Sequence, residues 1–259
     1  RAAKVDQALV EAEVNRINGG CAAVRVAGAK IIDSVKNYLA LAELCRENNF
    51  KAVAYNCGKL IDLKNMTPCL LNSLLDSAGI PAACEGDLMS AISMLVLTAL
   101  SGEPAAVMDL PAFDAADDSL LVWHCGSAPF EMANQAGVVC RHHYRSEFAD
   151  QSGFVSLGPI TDLTYRPGDV TAFRLTGEGD RFYYFTGKVT DTDKPSWYGS
   201  RGWVGDLKLY GQPIHAIDLM NTLFVNGIQH HYPVVLQDVG KYLEEFAYWM
   251  GLKRIPRAD

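Results

Sequence analysis

Two carboxylates stand out by where they fall. Glu85 and Asp109 each follow directly on a short apolar run, Ala82-Ala83-Cys84 and Ala105-Ala106-Val107-Met108. Between them lie one helical pattern, Asp87–Leu100, and the tight turn Ser101-Gly102-Glu103-Pro104. This strand–helix–strand order predicts parallel strands. If the strands are adjacent, both carboxylates project from the carboxyl edge, where open α/β sheets bind ligands. Two carboxylates held together repel unless they share a proton or a cation, and a divalent cation resolves the conflict. Each also has a plainer reading. Acidic residues after strands are often loop charges, and Glu85-Gly86-Asp87 equally suits the start of a helix, whose positive end favours acid.

Other residues could join them. His230-His231-Tyr232 follows the loop Asn226-Gly227-Ile228-Gln229. An imidazole added to two carboxylates suits Mn, Fe, Co or Zn. A second pair, His142-His143, reads as strand surface. His124 ends an apolar strand and runs into Cys125-Gly126-Ser127; it is either an edge ligand or a core histidine with a satisfied hydrogen bond. Cys125 beside it is not expected to form a nucleophilic pair, because adjacent strand residues point to opposite faces. In Pro195–Trp203, aromatic rings and an arginine in a Gly-rich loop suit a sugar face, or pack on their own domain. Trp203 is the candidate substrate contact there. No P-loop, GxGxxG after a strand, HExxH or GxSxG occurs, so nucleotide-dependent chemistry and serine hydrolysis have no support.

The elements that must position these groups come in two styles. Helical spacing marks Val5–Ile17, Ala29–Glu47, Pro68–Ser77 (Thr67 as cap, Pro68 at the first helical position) and Gly86–Leu100. Short apolar strands Ala52–Tyr55, Pro81–Cys84 and Ala105–Leu110 alternate with them, which implies a parallel sheet covered on both faces. After about Pro111 the pattern is β-rich: Leu120–His124, Val138–His142, Phe154–Leu157, Val170–Leu175, Arg181–Val189 and Gly202–Leu209. Gly177-Glu178-Gly179-Asp180 marks a hairpin between two of these. Helical patterns at Pro213–Phe224 and Asp238–Met250 close the chain. The expected fold is α/β: a Rossmann-like parallel-sheet domain over 1–112, then a β-rich domain over 113–259, an antiparallel sheet or small barrel with closing helices.

Composition narrows the class. The 259 residues are 49% hydrophobic and 20% charged, which excludes a disordered chain, a collagen or a low-complexity linker. Acidic residues outnumber basic ones, 30 to 23, for a net charge of −7, and no Lys/Arg run occurs; nucleic acid is not an expected partner. The longest apolar stretch, around Met89–Leu100, contains serines and is too short to span a bilayer, so no membrane partner is expected. Seven cysteines, an odd number without a CxxC pair, point to buried thiols in a reducing compartment, the cytoplasm. No charged-then-apolar leader opens the chain, so no signal peptide is expected. The first residue, Arg1, is what a processed chain or a piece of a longer one would begin with.

The run Ala83-Cys84-Glu85-Gly86-Asp87, then Ala91 with Met94-Leu95, Leu100-Ser101-Gly102 and Val107-Met108-Asp109, resembles the central segment of the L-fucose isomerase family, related to the L-arabinose isomerases. Gln229-His230-His231-Tyr232, followed by Val239-Gly240 and a helix, resembles its C-terminal metal-binding segment. The resemblance is strongest over 80–130 and 225–250. It implies that Glu85, Asp109 and His231 bind the metal and that Glu85 and Asp109 serve as acid and base. It places His124, His230 and Trp203 toward substrate, with His124 as metal ligand the other option. It further implies a monosaccharide substrate, aldose–ketose isomerisation through a cis-enediol, and Mn²⁺ as first-choice cofactor, with Mg²⁺ and Co²⁺ as alternatives. The chain then corresponds to the second and third domains of a longer protein that forms a homo-oligomer, trimer or hexamer. A non-catalytic sugar-binding protein, an inactive fragment, and a metal-dependent aldolase or epimerase are the competing expectations.

Overall fold

The computed structural model describes residues 1–64, 66–148 and 157–258. Its helices are α1 (Gln7–Gly20), α2 (Gly28–Asn48), α3 (Cys57–Lys64), α4 (Cys69–Ser77), α5 (Leu88–Ser101), α6 (Ala216–Val225) and α7 (Gly240–Met250). The strands are β1 (Cys21–Arg25), β2 (Val53–Ala54), β3 (Ala82–Ala83), β4 (Ala106–Asp114), β5 (Ser119–His124), β6 (Val138–Arg141), β7 (Ile160–Thr164), β8 (Gly168–Thr176), β9 (Arg181–Thr190), β10 (Ser200–Leu209), β11 (Gln212–Pro213), β12 (Tyr232–Val235) and β13 (Lys253–Arg254). The fold is mixed α/β, with parallel pairs β1–β6, β2–β3, β7–β10 and β9–β13 among antiparallel ones. No helix among the described residues is long and apolar enough to cross a membrane.

The large sheet closes on itself. β10 pairs with β5, β5 with β4, β4 with β12, β12 with β8, β8 with β9, and β9 again with β10. This ring is a small barrel, and alternation fills it. Met108 and Leu110 of β4, Leu120 and Val122 of β5, Ala172 of β8 and Val234 of β12 belong to one buried cluster. The intervening residues Val107, Phe173, Leu175 and Val235 belong to a second, which packs under α5 and α7 with Met94, Leu97 and Leu243. Period-two burial on both faces is what a sheet covered outside by helices requires. A third cluster joins α1, α2 and α4 through Val10, Ile17, Ile31, Val35, Leu70 and Leu74, and reaches the sheet at Cys140 of β6.

The strands before Glu85 and Asp109 are not neighbours. β3 has two residues and pairs in parallel with β2 alone. β4 joins the barrel instead, antiparallel to β5 and β12. A nine-residue strand with two buried faces gains more from the closed sheet than from two-residue partners. Residue 112 lies within β4.

Three local expectations change. α4 begins at Cys69 with Pro68 as its N-cap residue, so Thr67 is not the cap, and its buried hydroxyl has no partner. β6 ends at Arg141, so His143 is buried beyond the strand rather than on its surface. The strand expected over 154–157 lies, except for Leu157, outside the described residues. α5 follows its signals closely: Asp87 caps it by accepting from the Ser90 amide at 3.0 Å, and Gly102 ends it in the left-handed region at φ 73°.

Candidate functional site

Glu85 leaves β3 with φ 60°, a left-handed backbone unusual for a residue with a Cβ, and Gly86 continues it at φ 76°. The turn is pinned by amide bonds from Gly86 to the Tyr55 carbonyl and from Asp87 to the Cys84 carbonyl, both 3.1 Å. It leaves the Glu85 side chain half exposed and returns the chain at Asp87, the cap of α5. Strain of this kind persists where surrounding structure over-determines it, often at functional sites.

Asp109 of β4 and His231, just before the neighbouring strand β12, come level. Tyr232 pairs with Met108 in antiparallel register, which brings His231 opposite Asp109. The His231 ring is 1% exposed. Its Nδ1 lies 2.9 Å from Asp87 Oδ2, so Nδ1–H donates and the lone pair falls on Nε2. Nε2 is buried without a hydrogen-bond partner, 4.0 Å from Glu85 Oε2. Asp109 Oδ1 is likewise buried and unpaired. Burial pushes the Asp109 carboxyl up to about 6, against the pull of His231 and His230 and with the push of Glu85. His230 is exposed; its Nε2 contacts Glu85 Oε2 at 3.2 Å and its ring packs on His231 at 4.2 Å between centroids.

Behind His231 stands a group that the sequence reading did not single out. Arg174 of β8 is fully buried and donates to both Asp87 oxygens, at 2.8 and 3.1 Å, to the His231 carbonyl at 3.1 Å and to Gln229 Oε1. Burial alone would raise the Asp87 carboxyl, yet hydrogen bonds from His231 and Arg174 outweigh it and hold Asp87 well below the usual range. An ionised Asp87 fixes both the orientation and the tautomer of His231. This carboxylate–histidine arrangement is the one that typically stands behind a metal-ligating imidazole. The available signal was an arginine inside the apolar run Val170–Leu175.

The remaining candidates divide. His124 comes to the group: its ring lies 5.7 Å from that of His231, and burial, with the neighbouring histidines, lowers it to about 3, so it is a neutral imidazole. Cys125 does meet His124, at 3.4 Å from Nδ1, because β5 ends there and the chain turns through Gly126. Its thiol is nonetheless raised by the hydrogen bond with Cys69 and by burial, away from a nucleophilic thiolate. Trp203 is not brought to the group. It pairs with Leu121, its indole donates to the Pro195 carbonyl at 3.3 Å, and Lys194 covers its ring at 4.3 Å. The exposed aromatic of that loop is Trp197, edge-to-face with Trp123 at 6.0 Å.

Glu85, His230 and His231 present ligand atoms within 4.8 Å of one another; Asp109 is not in that group, and its desolvated carboxyl is tied to the three only by their electrostatic effect on it. Two orphaned buried atoms, an anionic turn and a histidine locked by a carboxylate make a donor set that can hold a divalent cation. The groove over them, lined by Glu85–Met89 and Gln229–His231, encloses about 390 Å³.

No family model matches the chain. It is similar to a sulfoquinovose isomerase of Alkalicoccus urumqiensis, 29% identical over 218 residues, which are 82% of this chain and 46% of that protein. The sulfoquinovose isomerase of Priestia aryabhattai is 27% identical over 190 residues, 72% of this chain and 39% of the relative. That of Clostridium sp. (strain MSTE9) is 24% identical over 267 residues, 95% of this chain and 55% of the relative. The chain thus spans about half the length of the curated relatives it matches.

Proposed function

We propose that this chain carries the metal-binding part of a sugar aldose–ketose isomerase that works through a cis-enediol, of the L-fucose/L-arabinose isomerase type. One observation carries the reading: His231, locked from behind by Asp87, turns a buried, unpartnered Nε2 toward Glu85, and Asp109, level with it on β4, buries an unpaired Oδ1. The names of the relatives make sulfoquinovose the first sugar to test. Residues 1–112 and 113–259 would correspond to the second and third domains of a longer, cytoplasmic, homo-oligomeric protein.

Glu85, Asp109 and His231 would hold the cation, and Mn²⁺ is the first choice because two carboxylates and one imidazole form a fairly hard site. When bound, the cation supplies Lewis-acid stabilisation of negative charge on the sugar oxygens O1 and O2. The chain does the rest. The reaction moves a proton between C1 and C2 next to a carbonyl, which needs a positioned base whose proton affinity is near working pH. Asp109 and Glu85 are the candidates: burial pushes the metal-free Asp109 carboxyl up to about 6, a bound cation would pull it back down, and Glu85 projects into the groove from a fixed turn. His230, exposed above the groove, can hydrogen-bond sugar hydroxyls, whereas neutral His124 is buried against His231 and would act by positioning that ring.

Glu85→Gln should abolish Mn²⁺-dependent isomerisation of the sugar with little loss of thermal stability, since the side chain is half exposed. The Mn²⁺-induced rise in Tm should shrink in the same variant. Turnover equal to wild type in Glu85→Gln would remove this reading.

A further inference from the structure

We propose that Cys69, Cys125 and His143 form a second, separate metal site, for a thiolate-preferring divalent cation, with zinc as the ion whose chemistry fits. The three donors converge from distant segments: the first residue of α4, the turn after β5 and the segment after β6. Cys69 and His143 are buried and Cys125 is half-buried. One ligand atom from each lies within 4.8 Å of the others.

The sulfur spacing decides between two uses of this pair. Cys69 Sγ and Cys125 Sγ are 3.8 Å apart. Two Zn–S bonds of about 2.3 Å at a tetrahedral angle hold their sulfurs about 3.8 Å apart. A disulfide needs about 2.05 Å, so the two segments would have to close on each other. The thiols therefore already stand where a tetrahedral ion wants them. Cys69 also opens a nine-residue helix, whose positive end favours the negative charge of a bound thiolate. Cys57 and Cys84 bear on Cys125 electrostatically, so the surroundings are rich in sulfur.

The histidine is the contested ligand. His143 Nδ1 accepts from the Arg145 amide at 3.2 Å, so the neutral ring carries its proton on Nε2. Binding through Nε2 requires the tautomer with Nδ1–H, and binding through Nδ1 displaces the amide. Either route breaks one backbone hydrogen bond when the metal enters. The site uses none of Glu85, Asp109 or His231, yet it lies against them, because Cys125 follows His124 and His124 packs on His231. Its effect is to tie α4 and the segment after β6 to the end of β5 that carries His124.

Cobalt titrated into the reduced, chelator-treated chain tests the assignment, because only sulfur ligation gives intense near-ultraviolet charge-transfer absorption. The band is expected in wild type and in Asp109→Asn. It should be lost in Cys69→Ser and in Cys125→Ser, and displaced in His143→Ala. No band in wild type overturns the proposal. So does a band that survives both Cys69→Ser and Cys125→Ser but vanishes in Cys57→Ser. X-ray absorption on zinc-loaded wild type avoids any variant that fails to fold. Two sulfur scatterers at about 2.3 Å support the site, and a shell of nitrogen and oxygen alone refutes it.

Discussion

Among the described residues, two acidic hollows invite comparison, and the larger one is the less suited to chemistry. A hollow of about 540 Å³ between the ends of β8, β9 and β10 is lined by Asp117, Asp118, Asp169, Asp206 and Asp238. The groove at Glu85–His231 has about 390 Å³ and fewer carboxylates. In the larger hollow three of the five carboxylates have partners: Asp117 bonds Lys194 at 2.6 Å, Asp118 accepts from the Ala216 amide at 2.7 Å, and Asp238 accepts from the Gly240 amide at 2.9 Å. The Ala216 amide holds Asp118 below its usual range, and His215 adds to it, whereas burial pushes Asp109 above. Counting acids therefore misleads. What marks the smaller groove is the buried, unpartnered Nε2 of His231, with a second layer that keeps it aimed.

The sharpest break in that comparison is Arg174→Met. It leaves Asp87 mostly buried and ionised with only His231 and the amide and hydroxyl of Ser90 to hold it. Removing one partner of a buried pair costs about 3–5 kcal/mol. Urea unfolding should register that loss, and the Mn²⁺-induced rise in Tm should fall with it. A variant as stable as wild type would mean that Asp87 does not depend on Arg174, and that His231 is held by something else.

The next effect is a pH slope of opposite sign at Asp109 and at Asp118. Asp109 has its folded value raised from 3.8 to about 6, so between those limits the folded chain binds more protons than the unfolded one. Stability from this group therefore falls as pH rises through that window, by on the order of 3 kcal/mol. Asp118, held below its usual range, contributes stability that is present above the unfolded value and lost as pH falls. Chelator-treated wild type should gain stability relative to Asp109→Asn as pH drops from 7 to 5. Mn²⁺, which favours the ionised carboxylate, should abolish that gain. Parallel pH profiles for the two proteins would show that Asp109 is not desolvated as the geometry requires.

How much of this was legible beforehand follows from the range of each interaction. The β8–β9 hairpin was readable because alternation and Gly177–Asp180 are local. So were both ends of α5, set by Asp87 and Gly102. Glu85, His230 and His231 do come together, with His124 packed on His231 and Asp109 near enough to feel their charges, but not by the predicted route, since β3 and β4 never pair. Barrel closure joins β4 to β12 across more than a hundred residues and leaves no periodicity to read. The Asp87–His231 bond spans 144 positions and Arg174–Asp87 spans 87, so the layer behind the ligands was invisible. β1 was missed because Cys-Ala-Ala-Val-Arg is short, small and mostly exposed. Trp203 shows the limit of residue type: an aromatic in a Gly-rich loop looks the same whether its ring is open or covered by a lysine.

The smallest effect belongs to the larger hollow. Lys194 binds Asp114 at 2.7 Å and Asp117 at 2.6 Å, and lies over Trp203. These are surface contacts, where Coulomb attraction in high dielectric is weak and salt screens it. Lys194→Met frees two carboxylates at once and uncovers the indole. If acid count alone made a cation site, this variant would create or strengthen one, and its Tm would respond to Mn²⁺ more than wild type. If desolvation and a supporting second layer are what matter, the Mn²⁺ response stays that of wild type and indole fluorescence alone changes. The second result is expected, since the freed carboxylates turn to water, which satisfies them without any ion.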